Sequence, residues 1–242
     1  VIEEVNPLSI ELPIDTLELS LFSSDAAFSI IAPTGDYSVL QDKQPLDVYE
    51  VVDNERVYIG QFYLDEWENP SDNEIIFRAI DKIGVLDTVP YLGGIWLTPV
   101  NVEDLIDTIM TAISAPYDLD PDLNGTDIQG WIPVTNYREA LQQIAFACGA
   151  YVTCSRAGLV QIKKTVLASE AVTFDYTVTK AQKSITNQSL TLKTLVTGVE
   201  VAAHNYVENT DVSELYNGTL AAGSHTITFA APAHDLSISG AT

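Results

Sequence analysis

Asn136-Tyr-Arg-Glu-Ala-Leu-Gln-Gln-Ile-Ala-Phe-Ala-Cys-Gly149-Ala-Tyr-Val-Thr-Cys-Ser-Arg-Ala-Gly158-Leu-Val-Gln-Ile-Lys163 holds a helix with both of its ends and a hairpin behind it. Asn136 is a capping residue type, because its short side-chain oxygen can accept an orphan N–H of the first helical turn; Glu139, three residues on, completes a capping box. Leu141, Ile144, Ala145 and Cys148 form one stripe at helical spacing and Gly149 supplies the stop, so the pattern predicts a helix over Tyr137–Cys148. Val152 and Cys154, then Val160 and Ile162, alternate inward, which predicts strands over Ala150–Ser155 and Leu159–Lys163 around Arg156-Ala-Gly158. Upstream, Asn101-Val-Glu-Asp caps a second periodic stretch with Leu105, Ile106, Ile109, Met110 and Ile113 on one face. The middle of the chain therefore reads helix, helix, hairpin.

On both sides the period changes from helical to two. Ile10, Leu12 and Ile14, then Leu17, Leu19 and Leu21, alternate across Leu8–Ile31, and turn chemistry follows at Ala32-Pro-Thr-Gly-Asp36. Pro45–Val52 and Arg56–Leu64 flank the turn Asp53-Asn54-Glu55 as a hairpin, and Asn69-Pro-Ser-Asp-Asn73 breaks the chain before a further strand over Glu74–Ile80. Short strands at such spacing suit a barrel or a sandwich. After Lys164 the chain is Thr-, Val- and Ser-rich, with strands expected over Ala171–Val178, Leu190–Val201 and Thr226–Ala230. The acidic stretch Tyr117–Ile128 reads as the nearest thing to a linker. The expected class is mainly β (α+β).

Composition excludes several function classes. With 46% hydrophobic and 19% charged residues, the chain has the apolar content to fold. Its 34 acidic against 11 basic residues give a formal net charge of -23, which repels phosphate backbones, so sequence-specific nucleic-acid binding is not expected. No apolar run is long enough to span a membrane as a helix, and Val1-Ile-Glu-Glu lacks the basic region and apolar stretch expected of a signal peptide. Two cysteines, Cys148 and Cys154, make no disulfide framework and read as small core residues. The start at Val1, without an initiator Met, is read as that of a fragment.

Candidate chemistry is sparse. Asp120-Pro-Asp122-Leu-Asn124-Gly125 copies the opening of a calcium loop, but the twelfth position is Trp131 rather than a bidentate Glu and Pro121 stiffens the loop, so a solvated turn is the simpler reading. Asp65, Glu66 and Glu68 around Trp67 hold the ingredients of glycoside hydrolysis, yet they fall where a strand is expected to end. Asp81 and Asp87 have the same standing. His204, His225 and His234 sit in no nucleophile signature, Gly93-Gly94 lacks the context of a phosphate loop, and sequons such as Asn187-Gln-Ser189 are expected by chance. No catalytic, cofactor or metal residue is therefore assigned, and the protein is expected not to be an enzyme. Arg138 and Arg156 stand out because basic residues are scarce; each is read either as a structural ion pair or as an inter-subunit contact.

The run Ile132–Ile162, centred on Tyr137-Arg138-Glu139-Ala-Leu and Arg156-Ala-Gly158-Leu-Val-Gln-Ile162, resembles a segment of bacteriophage and prophage tail hub proteins. Leu12-Pro-Ile-Asp-Thr-Leu-Glu-Leu, Gly60-Gln-Phe-Tyr-Leu-Asp65 and Ala79-Ile-Asp81-Lys-Ile-Gly-Val-Leu-Asp87 are similar to the same tail proteins of Firmicute prophages. The resemblance covers about residues 8 to 163. It implies two β-barrel-like domains, 1–88 and 166–242, the second of open completeness, with an inserted helix-helix-hairpin α/β domain at 89–165. It further implies a homotrimer in a virion tail assembled in the bacterial host cytoplasm, joining the tail tube or distal tail protein to the tip or fibre, without catalytic residues or cofactors in this portion. Acidic residues are then expected to line the lumen, where like charge keeps DNA from adhering. The rival reading is a glycan-binding or adhesin-like β module, resting on three Trp, eleven Tyr and seven Phe and needing Trp67, Trp96 or Trp131 as an exposed platform.

Overall fold

The computed structural model describes residues 11–22, 40–166, 179, 198, 200, 206–229 and 231–240. The chain divides into two units: Val1–Thr165 with Tyr206–Thr242, and Val166–Asn205. All the helices and strands described below belong to the first unit. In the second, the few described residues carry no helix or strand.

Four antiparallel strands open the chain: β1 (Thr16–Phe22), β2 (Pro45–Val52), β3 (Glu55–Ser71) and β4 (Glu74–Ile80), in the order β1-β4-β3-β2. Alternation decides which face is buried: Ile75, Phe77 and Ala79 of β4 point inward with Leu17 of β1 and Phe62 and Leu64 of β3. A register shift between Leu64 and Glu66 then moves the phase of β3 by one residue. Trp67, instead of Glu66 or Glu68, thereby comes to lie on the apolar side against Phe77. The 69–73 break expected from the sequence is narrower, because β3 runs on to Ser71 and only Asp72-Asn73 turn. At the other end, Asp53 and Asn54 both adopt positive φ (51° and 69°), the two-residue turn whose twist matches the strands it joins.

Helix α1 (Lys82–Asp87) follows, capped by Asp81. The short β5 (Pro90–Tyr91), the longer β6 (Gly94–Asn101) and then α2 (Val102–Ala112) come next. Beyond α2 lie β7 (Tyr117–Leu119), a single tight turn at Pro121–Leu123, β8 (Asp127–Ile132) and β9 (Thr135–Asn136). β5 pairs with β9 and β6 with β8. The stretch read as a linker is therefore folded in, with Leu123 completely buried.

The helix-helix-hairpin reading holds at its ends. Asn101 Oδ1 accepts from Glu103 N at 2.9 Å ahead of α2, and Asn136 Oδ1 accepts from Glu139 N at 2.8 Å ahead of α3 (Tyr137–Cys148). The Glu139 carboxylate accepts from the Thr135 hydroxyl. Gly149 closes α3 at φ 70°, a left-handed conformation that glycine adopts without penalty. β10 (Ala150–Cys154) and β11 (Val160–Lys164) form the hairpin, and β7 adds to β11 in parallel, giving the order β10-β11-β7. One core joins Leu105, Ile106, Ile109 and Met110 of α2 to Leu141 and Ile144 of α3, Val152 and Ile162 of the hairpin, and Ile83 and Leu86 of α1.

The chain is mainly β with few helices. Three expectations need correction. The first sheet is open: among the described residues no closed barrel forms, because β2 and β1 remain edge strands and the β2–β3 hairpin runs past the end of β4. Leu12 and Ile14 precede β1 and are not in a strand, and Thr226–Phe229 form none either. Leu12 is instead a core residue, 4% exposed and packed with the helices. Leu8–Ile10, residues 23–31, the Ala32–Asp36 turn, Ala171–Val178 and nearly all of Leu190–Val201 lie outside the described residues. Among the described residues no helix is long and apolar enough to cross a membrane.

Candidate functional site

Two places in the first unit carry features that packing alone does not require. One is the distal part of the β2–β3 hairpin. β3 pairs with β4 only from Tyr63 onward, so residues 49–58 project as a two-stranded arm beyond the sheet. Register puts Tyr49 opposite Tyr58 and Val51 opposite Arg56 on one face, and Glu50 opposite Val57 and Val52 opposite Glu55 on the other. Tyr49, Val51, Val52, Val57 and Tyr58 are all exposed, Val51 at 64%. The tyrosine rings meet at 5.3 Å between centroids and 60° between planes. A ribbon of this kind gains little from burial by itself, and it leaves apolar side chains exposed on both faces.

The other place is the joint between the sheet and the helical core. The β10–β11 turn docks on β3: Arg156 O accepts from Gln61 N at 2.7 Å and from the Tyr58 hydroxyl at 3.2 Å. Gly158, at φ 71°, lies so close to Gln61 that a Cβ there would come within 2.7 Å of its side-chain oxygen. Beneath the turn is a cavity of about 220 Å³ lined in part by Asp15, Gln61, Asp81, Cys154 and Arg156. Asp81 is 3% exposed; its Oδ1 accepts from Gly84 N at 2.8 Å as the cap of α1, and its Oδ2 has no hydrogen-bond partner. Burial pushes the Asp81 carboxyl up to about 7 and the Cys154 thiol up to about 12, so that thiol is neutral near pH 7 and unsuited to nucleophilic chemistry.

The residues singled out in the sequence fall as follows. Glu66 and Glu68 do not converge on a cleft; with Glu18 they surround Arg78 on the solvent face of the sheet, at 3.0 Å from Glu18, 3.7 Å from Glu66 and 3.5 Å from Glu68. Asp65 pairs with Lys43. Asp120 spends one carboxylate oxygen on Asp122 N at 3.1 Å and the other on Lys164 N at 3.2 Å, pinning the tight turn to β11. Among the described residues no group of three or more His, Cys, Asp or Glu side chains is arranged to hold a metal ion. Trp67 and Trp96 pack against the cores, and Trp131 meets Tyr206 edge-on at 5.8 Å, so each is half-buried. Arg138 is engaged within the chain: its Nε donates to Leu12 O at 2.9 Å, a second nitrogen donates to the same carbonyl, and a third lies 3.5 Å from Asp87 Oδ1. Arg156 is exposed at the hairpin turn. The arm was missed because the sequence marks these residues only as a hairpin; what exposes it is where β4 ends.

No protein-family model matches the chain, and no curated protein matches it. The solved structures to which it is similar include three tail proteins. They are the 43 kDa tail protein of prophage MuSo2 from Shewanella oneidensis (17% identity, TM-score 0.43, covering 66% of this chain and 46% of that one), a prophage tail protein from Listeria monocytogenes (12%, 0.44, 62% and 40%) and a tail protein from Neisseria meningitidis (16%, 0.35, 43% and 34%). The chain thus spans less than half the length of each.

Proposed function

We propose that this chain is a non-enzymatic structural component of a phage or prophage tail, the hub that joins the tail tube to the tip or baseplate. The observation that carries this reading is the exposed β2–β3 arm, an apolar ribbon in a protein of net charge -23. Its surface is of little use to a free monomer and well suited to burial between subunits. The tail-hub resemblance of residues 132–162 supplies the class of assembly: a homotrimer in the virion tail, built in the host cytoplasm, contacting the tube or distal tail protein on one side and the tip or fibre on the other. Two barrel-like domains bracketing the helix-helix-hairpin belong to the same proposal. The solvent face with Glu18, Glu66 and Glu68 is the surface we assign to the lumen, where carboxylates repel passing DNA. Arg156, exposed on the hairpin turn, is assigned to an inter-subunit contact, and Arg138 to the same contact only through the loop it anchors. The glycan-binding alternative is less favoured because Trp67, Trp96 and Trp131, which it needs as an exposed platform, are half-buried and the Tyr49 and Tyr58 rings tilt by 60° to each other.

Immunogold labelling of tails from the strain that encodes this chain tests the reading. Gold confined to the junction of tube and tip is the expected result. Gold spread along the tube, or tails free of the protein, would overturn it.

A further inference from the structure

We propose that Asp81 is a protonation-controlled latch at the β4–α1 corner: as a neutral acid it is tolerated in its buried place beside the Asp15 segment and Cys154 of β10, and as an anion stripped of water there it destabilises that corner. The geometry puts one carboxyl at the crossing point. Asp81 N donates to Asp15 O at 3.0 Å, tying the segment ahead of β1 to the corner, while Oδ1 caps α1 through Gly84 N. Oδ2 is buried with no hydrogen-bond partner, the arrangement that favours a neutral acid over a carboxylate. Asp15, itself 9% exposed, brings a second carboxyl to the same cavity.

Charged groups approach Asp81 from α1 and from the hairpin turn. From α1, Lys82 is directed over the Tyr63 ring, 4.9 Å from its centroid. From β10, Cys154 is a neutral thiol below about 12. From the hairpin turn, the exposed Arg156 lines the same cavity, and from β3 the lining side chains Gln61 and Phe62 are uncharged. On α3, Arg138 meets α1 at its far end, at Asp87. Burial raises the Asp81 pKa most and the Asp15 charge adds to it, against backbone N–H groups that lower it. Because the folded value of about 7 lies above that of an unfolded aspartate, the stabilisation is whole below about pH 4 and is lost as pH rises through 7.

Hydrogen exchange of the 242-residue chain at pH 6 and pH 8, corrected for intrinsic rates, tests the latch. Amides of residues 81–88 and 150–156 are expected to lose protection by about tenfold between the two. Asp81→Asn keeps an oxygen for Gly84 N and cannot ionise, so its protection in these segments is expected not to change. Equal protection of the wild type at both pH values, or the same loss in Asp81→Asn, would overturn the proposal. If Asp81→Asn does not fold, side-chain carbon NMR of the wild type decides: an Asp81 midpoint near neutrality supports the latch and one below pH 5 removes it.

Discussion

Arg138 reaches from the first turn of α3 to two stretches of chain remote in sequence, the carbonyl of Leu12 and the carboxylate of Asp87. Its side chain is 16% exposed, so these hydrogen bonds are sheltered from water and hold Leu12 in the core formed by α2 and α3. Arg138→Ala leaves a half-buried carbonyl without its donor and removes the aliphatic stem as packing, and is expected to cost about 2 kcal/mol in urea unfolding. Arg138→Lys keeps the charge but cannot form the fork on the Leu12 oxygen, and should recover less than half of that loss. The sequence marked Arg138 by the scarcity of cations and offered a nearby carboxylate as partner, which Asp87 is. Leu12 O could not be read, since a backbone carbonyl carries no sequence signature. Asp81 was equally hidden: an acidic residue beside an apolar run reads as surface until tertiary contact shows that it is 3% exposed.

Elements whose signals are local were legible and those fixed by distant pairing were not. α3 was bounded correctly because cap, stripe and stop lie within its own turns. Asn136→Ala removes the acceptor for Glu139 N and is expected to lower stability by about 1 kcal/mol, whereas Asn136→Asp or Asn136→Ser should keep most of it, measured by thermal or urea unfolding. Loss of the same size in all three variants would show that the Asn136 amide nitrogen, which donates to Asp87 Oδ1 at 3.0 Å, matters more than the cap. α1 was invisible because six residues with a glycine inside hold less than two full turns of periodicity. The shift in β3 after Leu64 was invisible for a related reason: strict alternation predicts Glu66 on the core side, and only pairing with Arg78 across β4 pulls it out. β6 and β8 escaped notice because their pairing partners are separated by the whole of α2 and β7.

At the scale of the whole molecule the order of a β region followed by helix, helix and hairpin was readable from period changes, but the openness of the first sheet was not, because closure depends on which edges meet. Charge, by contrast, is read directly from the sequence and acts on the whole fold. A net charge of -23 repels itself, and at low ionic strength that repulsion extends beyond 10 Å, across much of the molecule. Opposing it are a few ion pairs, of which Lys163 with Asp118 at 2.6 Å and Arg78 with its three glutamates are solvent-exposed and worth little individually. The unpaired excess should therefore dominate. Raising NaCl from about 20 to 500 mM, which shortens the screening length to a few ångströms, is expected to stabilise the chain by on the order of 1 kcal/mol, or about 3 °C in Tm. Chloride is the right anion for the test, because sulfate would strengthen apolar burial independently of charge. A Tm that falls with NaCl would mean that the pairs outweigh the excess, and that the acidic surface is an organised network instead of an unrelieved field.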